Sequence, residues 1–227
     1  MIYLFGVALL VGLIVGPSLW VKAVIRRYSA PADRYPGTGG ELAEHLLEAL
    51  KIDDVGVEQT ELGDHYDPTE KVVRLGPDHY NGRSLAAITI AAHEVGHAIQ
   101  HATGYLPLQL RTKLVRLTGP LQRLGAGVLM LSPVIGAVTR APSLSLVMIF
   151  GGLLSLGAAA MVHMLTLPTE FDASFSRAMP LLVEGGFLKD GDEPHARKLL
   201  RAAALTYVSA SLMSLLNVGR WWAILRR

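Results

Sequence analysis

The chain has 227 residues, 51% of them hydrophobic, and a mean hydropathy of +0.36, which is high for a soluble domain of this size. Its formal net charge of +2 does not indicate a nucleic-acid partner. It contains no cysteine, which excludes disulfides, thiolate zinc ligands and cysteine nucleophiles.

The sequence opens with an apolar segment, residues 1–24, that is long enough to cross a bilayer. No basic residue precedes the segment and no small-residue cleavage site follows it, whereas Arg26 and Arg27 come directly after it. This pattern predicts a retained membrane anchor at residues 1–25 rather than a signal peptide that is removed.

Residues 26–117 are predicted to form a small α+β region. A Pro- and Gly-rich link at residues 30–40 leads into an amphipathic helix at about 41–51, and residues 55–75 have the pattern of a strand or hairpin. The extended stretch has two interpretations: an edge strand that pairs with an extended peptide substrate, or a small sheet that only covers the next helix.

That next helix carries the H-E-x-x-H pattern at residues 93–97. On a helix that begins after Ser84, a candidate N-cap, His93 and His97 lie about 40° apart and can reach one metal ion. Glu94 lies on the neighbouring flank, where its carboxylate can act as general base on water. The pattern predicts a zinc site, and the alternative is an apolar helix whose histidines are merely buried and hydrogen-bonded.

Three further apolar segments complete the predicted architecture, at residues 119–138, 143–167 and 202–225. The sequence thus predicts a mainly α, integral membrane protein with about four transmembrane helices and a small α+β zinc-site region at the membrane surface. The predicted regions are an anchor (1–25), a metallopeptidase region with the HExxH helix (26–117), two transmembrane helices (118–167), a region that supplies the third zinc ligand (168–201) and a last transmembrane helix (202–227).

Glu170 is predicted as the third zinc ligand, because a catalytic zinc takes three protein ligands and leaves one position open. After two predicted crossings the chain returns to the side of the HExxH helix, directly before Glu170. The alternative is an ordinary acidic residue in the first turn of a helix. Asp172 either completes a capping box with Thr169 or orients a metal-bound histidine.

Two other histidines compete for roles at this site. His101 lies one turn beyond His97 and drifts about 80° from His93, so a place on the helix surface is expected for it. His163 is an ionisable residue within a predicted span. It is a candidate to donate a hydrogen bond to a metal ligand or to the transition state, and the alternative is that it only forms a hydrogen bond between packed helices.

Four short motifs in combination resemble the prokaryotic membrane-bound neutral zinc metallopeptidases of the YugP type: HYDP at 65–68, SLAA at 84–87, HEVGHAIQ at 93–100 and PTEFDAS at 168–174. The resemblance covers nearly the whole chain and implies zinc peptidase activity without naming a substrate. A more distant similarity is to the membrane gluzincins that process prenylated proteins or act in membrane quality control. Those usually carry an aspartate four residues after the glutamate ligand, where this chain has Ser174.

The function predicted on these grounds is a membrane-embedded zinc-dependent endopeptidase. His93, His97 and Glu170 hold Zn²⁺, and Glu94 is the general base and then the proton donor to the leaving amine. The expected partners are a peptide or membrane-protein substrate and the lipid bilayer, with no nucleic acid, and the oligomeric state is open. Basic residues flanking the spans predict a multi-pass cell-membrane protein whose catalytic side is cytoplasmic.

Two alternatives come from different function classes. A protease that cuts inside the bilayer needs a longer apolar stretch before His93 and a Leu-Asp-Gly ligand motif, which the sequence at 188–191, LKDG, does not supply. A zinc-binding membrane scaffold without turnover does not require Glu94 between the two histidines. Replacing Glu94 by glutamine separates a scaffold from an enzyme.

Overall fold

The structure is a computed structural model that describes residues 2–215. Within its helices, the side chains at the following positions lie outside the described part: 2–11, 14, 115, 118, 119, 122, 126, 142, 153, 156–161, 163–165, 207, 208 and 210–215.

The described chain is mainly helical and contains one small sheet. In order it forms α1 (Ile2–Tyr28), α2 (Gly39–Ala49), β1 (Gly56–Gln59), β2 (His65–Asp67), β3 (Val72–Leu75), α3 (Pro77–Tyr80), α4 (Leu85–Ala102), α5 (Leu106–Thr139), α6 (Pro142–Leu165), α7 (Leu167–Phe171), a π-helix (Asp172–Ala178), α8 (Met179–Glu184) and α9 (Glu193–Leu215).

These elements divide into two compact units. The site unit consists of residues 17–109 and 167–206 and contains the sheet, α2, α4 and the π-helix. The apolar unit consists, among the described residues, of 2–16, 110–166 and 207–215. All of the residues that form the metal centre described below belong to the site unit.

The sheet has the strand order β1-β3-β2. β1 pairs with β3 in parallel, with Gly56 opposite Val72, and β2 pairs with β3 in the antiparallel sense, with Tyr66 opposite Val73. Strands were expected at residues 55–75, and the structure has them there. The chain does not form a simple hairpin, however, because β3 takes the central position between the two earlier strands.

The helix α4 is buried along most of its length and is fixed at its start by a side chain. Ser84 is the N-cap, and its Oγ accepts a hydrogen bond of 3.1 Å from the backbone N–H of Ala87. At Gly96 the backbone of the π-helix comes so close that a Cβ would lie 2.5 Å from the carbonyl oxygen of Ala173. A glycine is therefore required at Gly96 for α4 and the π-helix to pack this closely.

The start of α9 is tied to the chain that precedes α2. Asp192, only 3% exposed, accepts hydrogen bonds of 2.6 and 2.7 Å from the Arg34 guanidinium and one of 2.5 Å from the Tyr35 hydroxyl. Burial on its own would raise the pKa of Asp192, but these hydrogen bonds and the Arg34 charge hold it below its ordinary value. The charged carboxylate anchors the N-terminal end of α9.

In the apolar unit, α5 and α6 pack through small residues. Ser155 donates a hydrogen bond of 3.0 Å to the carbonyl of Leu121, and Ser145 donates one of 2.9 Å to the carbonyl of Ser132. A Cβ on Gly152 would lie 2.3 Å from Leu129 Cγ. Small side chains therefore allow a close approach of the two helices.

The prediction of an integral membrane protein with about four transmembrane helices is wrong. Among the described residues, no helix combines the length and the apolar character needed to cross a membrane. Two of the helices extend beyond the apolar segments of the sequence. α5 begins at Leu106, ahead of the predicted span at 119–138, and includes Arg111, Lys113 and Arg116. α9 begins at Glu193, ahead of the predicted span at 202–225. The last twelve residues of the predicted last span, 216–227, lie outside the described residues. The division into five sequence regions stays a prediction.

Candidate metal centre

Three buried side chains converge between α4 and the segment that follows α6. His93 and His97 are 2% exposed and Glu170 is 1% exposed. One carboxylate oxygen, Glu170 Oε2, lies 3.4 Å from His93 Nε2 and 3.1 Å from His97 Nε2. One ligand atom from each of the three residues lies within 4.8 Å of the other two. The structure therefore brings together the three residues that the sequence predicts as metal ligands.

The ring of His97 is oriented by Gln100. The Gln100 Nε2 group donates to the carbonyl of Thr169 at 2.8 Å and to Asp172 Oδ2 at 2.7 Å, so both of its N–H groups are used. Its Oε1 atom therefore faces His97 Nδ1, at 3.0 Å, as an acceptor. His97 Nδ1 therefore carries a hydrogen, and in the neutral ring the lone pair lies on Nε2.

The ring of His93 is oriented by Ser174. A hydroxyl has a single hydrogen, and Ser174 Oγ donates it to the carbonyl of Leu200 at 3.1 Å. The same oxygen lies 3.0 Å from His93 Nδ1, from which it accepts. His93 Nδ1 therefore also carries a hydrogen, and in the neutral ring its lone pair also lies on Nε2.

With both rings neutral, two nitrogen lone pairs and a carboxylate oxygen face one another in a buried site, an arrangement that suits a bound cation. The ligand set of two imidazoles and one carboxylate is that of a catalytic zinc site. Tetrahedral bonds of about 2.0–2.1 Å to zinc place neighbouring ligand atoms about 3.3 Å apart. In the structure, Glu170 Oε2 lies 3.1 Å from His97 Nε2 and 3.4 Å from His93 Nε2. The residues therefore fit a zinc ion.

The π-helix and the residues just before it place Glu170 and Ser174 opposite the two histidines. Buried positions recur every four residues from Glu170 through Ser174 to Ala178. A π-helical turn is longer than an α-helical one, which keeps residues at this spacing on a common face. Since Gly96 lets this face lie directly against α4, Glu170 and Ser174 reach the two histidines.

Glu94 lies within α4 beside His93 and is 5% exposed. The helix places it about 100° from His93 and about 60° from His97, on the flank of the ligand face. A carboxylate at this position can take a proton from water that approaches the ligand atoms.

His101 belongs to a different set of contacts. Its Nδ1 atom lies 2.7 Å from the hydroxyl of Tyr66, which is on β2. Burial, together with the charges of Asp54 and Asp67, raises the pKa of Tyr66 to about 12, so the phenol is protonated near neutral pH. The expectation that His101 stays outside the ligand set agrees with this contact.

The remaining candidates have separate outcomes. Asp172 accepts a hydrogen bond from Gln100, the residue that contacts His97, and lies 3.4 Å from Arg177 Nε. The side chain of His163 lies outside the described part of the chain. Sequence reasoning missed Gln100 and Ser174 as histidine partners. Their spacing was the available signal, three residues after His97 and four after Glu170.

The comparisons with known proteins agree with this chemistry. The family described as "Putative neutral zinc metallopeptidase" matches residues 1–226. A curated relative from Bacillus subtilis (strain 168), "Putative membrane protease YugP", is 39% identical over 223 residues, which cover 97% of this chain and 95% of the relative. No solved structure matches the chain. The resemblance predicted from the short motifs is confirmed.

Proposed function

The chain belongs to the neutral zinc metallopeptidase family, and we propose that His93, His97 and Glu170 hold its zinc ion during peptide-bond hydrolysis. Membership of the family confirms the predicted zinc cofactor and the predicted class of enzyme. The observation that carries the ligand assignment is the convergence of two imidazole Nε2 atoms on one buried carboxylate oxygen.

The proton transfers are assigned to Glu94. When bound, zinc supplies a Lewis acid that polarises the scissile carbonyl and makes water more acidic. Glu94 takes a proton from water as its oxygen forms the new bond to the carbonyl carbon. It then gives the proton to the leaving nitrogen as the C–N bond breaks. Glu94 is thus a carboxylate again at the end of the reaction, and one water molecule has been added across the cleaved peptide bond.

The alternative of a zinc-binding scaffold is tested at the same residue. In Glu94→Gln the side chain keeps its size but cannot accept the proton, so we expect hydrolysis of fluorescently quenched casein to fall by about a hundredfold to ten-thousandfold. Zinc content, measured by metal analysis of the purified chain, should stay near one ion per chain.

Glu44→Gln is the matched control, since Glu44 is an exposed residue of α2. It should cleave casein as the unaltered chain does. Equal rates in Glu94→Gln and Glu44→Gln would assign any hydrolysis to something other than Glu94. A zinc-loaded chain without activity on any protein or peptide substrate would favour the scaffold.

We also propose that the enzyme acts at a membrane, on peptide or membrane-protein substrates, with its catalytic side toward the cytoplasm. The relative from Bacillus subtilis carries "membrane protease" in its name. Large apolar side chains on α5 and α6 are solvent-exposed, among them Leu124 at 68% and Phe150 at 70%, as is common where a protein meets a membrane or a partner. Exposed basic residues at the end of α1, Arg26 and Arg27, suit an anionic cytoplasmic leaflet.

Vesicle flotation tests this location. The purified chain, freed of detergent, should float with phosphatidylcholine vesicles, and a larger fraction should float when phosphatidylglycerol is added. Recovery of the folded chain only in the vesicle-free bottom fraction would contradict the membrane location without touching the zinc site.

A further inference from the structure

We infer that Ser174 and Gln100 are positioning residues of the metal centre, each of which holds one histidine with its Nε2 atom toward the ion. The inference rests on the proposed function, because it concerns the same three ligands. It adds two residues that do not touch the ion or the substrate.

Ser174 connects the ring of His93 to the backbone of α9. A histidine ligand normally donates its second N–H to a carboxylate, a carbonyl or water, which fixes the tautomer and the ring orientation. Here a hydroxyl stands between ring and carbonyl: His93 Nδ1 lies 3.0 Å from Ser174 Oγ, which lies 3.1 Å from the oxygen of Leu200. Both Ser174 and Leu200 are fully buried, so water does not compete for these bonds.

Gln100 connects the ring of His97 to the segment that carries Glu170. The buried amide uses its oxygen for His97 and its nitrogen for Thr169 and Asp172. The Thr169 carbonyl and the Asp172 carboxylate can only accept, so they allow one orientation of the amide, since a flipped amide would face these acceptors with its oxygen. Asp172 is held in turn by Arg177, at 3.4 Å.

The chemistry of the two supports differs from a carboxylate support. A hydroxyl or an amide oxygen carries no full charge, so it fixes the tautomer of the ring while adding less to the basicity of Nε2 than a carboxylate would. Both histidines are supported in this neutral way, and the carboxylate that directly faces the ligand atoms is Glu170. Loss of either support should therefore loosen the ion without removing a ligand.

The experiment measures zinc affinity of the purified full chain by competition with a chromophoric chelator. Ser174→Ala and Gln100→Ala should each weaken zinc binding by about tenfold to hundredfold, the usual effect of removing an outer-shell partner. With Co²⁺ in place of zinc, the visible absorption spectrum reports the ligand geometry, and both variants should change it.

Two controls come from the same part of the chain. Ser176→Ala alters an exposed serine of the same π-helix, and Gln109→Ala alters an exposed glutamine on α5 that donates one bond of 3.3 Å to the carbonyl of Gly104. Both should bind zinc and Co²⁺ as the unaltered chain does. Thermal unfolding of the metal-free variants identifies any chain that fails to fold. If Gln100→Ala is one of these, Gln100→Met, which is of similar length and apolar, replaces it in the comparison.

The possible results distinguish the positioning roles of Ser174 and Gln100 from the metal site itself. Wild-type affinity and an unchanged Co²⁺ spectrum in folded Ser174→Ala and Gln100 variants would overturn the positioning roles. If His93→Ala abolishes zinc binding in the same assay, the proposed metal site stands regardless. Undiminished zinc in His93→Ala would instead overturn the site itself.

Discussion

The helix α4 presents histidines to two regions of the site unit, and the two regions treat them differently. On the side of the π-helix, His93 and His97 are buried and their Nε2 atoms face a carboxylate. Near the sheet, His101 is only partly buried and is hydrogen-bonded to a protonated tyrosine, Tyr66. All three histidines follow one another at helical spacing. The neighbouring element, rather than the spacing, decides which of them can hold an ion.

The largest difference between the two regions should lie in zinc binding. His93→Ala and His97→Ala each remove a ligand, so zinc affinity should fall by more than the hundredfold limit expected for an outer-shell partner. His101→Ala should leave it within about twofold, because Tyr66 rather than the ion is its partner. Chelator competition on the three purified variants measures all three values. Loss of zinc in His101→Ala, with retention in His97→Ala, would reverse the comparison.

The close packing of α4 on the π-helix should be the next most sensitive feature. In Gly96→Ala the new Cβ would lie 2.5 Å from a backbone oxygen of Ala173, which cannot rotate away. We expect the free energy of unfolding to fall by about 1–3 kcal/mol, as in other overpacked sites, measured by urea denaturation of the metal-free chain. Zinc affinity should fall as well, since the π-helix carries Ser174 and follows Glu170 directly.

Gly127→Ala is the matched control for this substitution. Gly127 lies inside α5, and a Cβ there meets nothing within 4 Å. The change should therefore leave stability unaltered or raise it by up to about 1 kcal/mol, the difference in helix propensity between glycine and alanine. Equal effects at the two glycines would show that helix propensity, and not the contact with Ala173, governs Gly96.

The hydrogen bond between Tyr66 and His101, near the sheet, should have the smallest effect on stability when it is removed. Tyr66→Phe removes the hydroxyl bonded to His101 and should cost about 1 kcal/mol of unfolding free energy. It should leave zinc content and casein hydrolysis unaltered.

Local signals in the sequence predict the parts of the site that lie on one helix. Ser84 caps α4 as expected, and the spacing of His93 and His97 places both rings on one face. The amphipathic helix expected at 41–51 is found at Gly39–Ala49. These features depend on neighbouring residues in the chain, and a single sequence contains that information.

Contacts between distant segments are harder to predict. Counting membrane crossings predicts Glu170 as a ligand, and the structure contradicts the crossings while still placing Glu170 at the histidines. The hydrogen bond between Ser174 and His93 joins residues 81 apart, and the only signal for it is the position of Ser174 four residues after Glu170. Strand pairing is similar, since alternation indicates strands at 55–75 but not that β3 lies between β1 and β2.

The seven π-helical residues, Asp172–Ala178, also set the angular phase of the chain that follows them. A π-helical turn closes its hydrogen bonds one residue later than an α-helical turn, so the segment delays the rotation of α8 relative to Glu170. A deletion of one residue here is taken up if the segment returns to α-helical hydrogen bonds, because a π-helical turn holds one residue more than an α-helical turn. The positions downstream then keep nearly the same phase, and Leu182 stays in the core, in which it is fully buried. A one-residue gap between this glutamate and α8 in a related sequence thus replaces the π-helix by an α-helix, whereas a gap of the same size within α4 turns the residues that follow by about 100° around the helix axis.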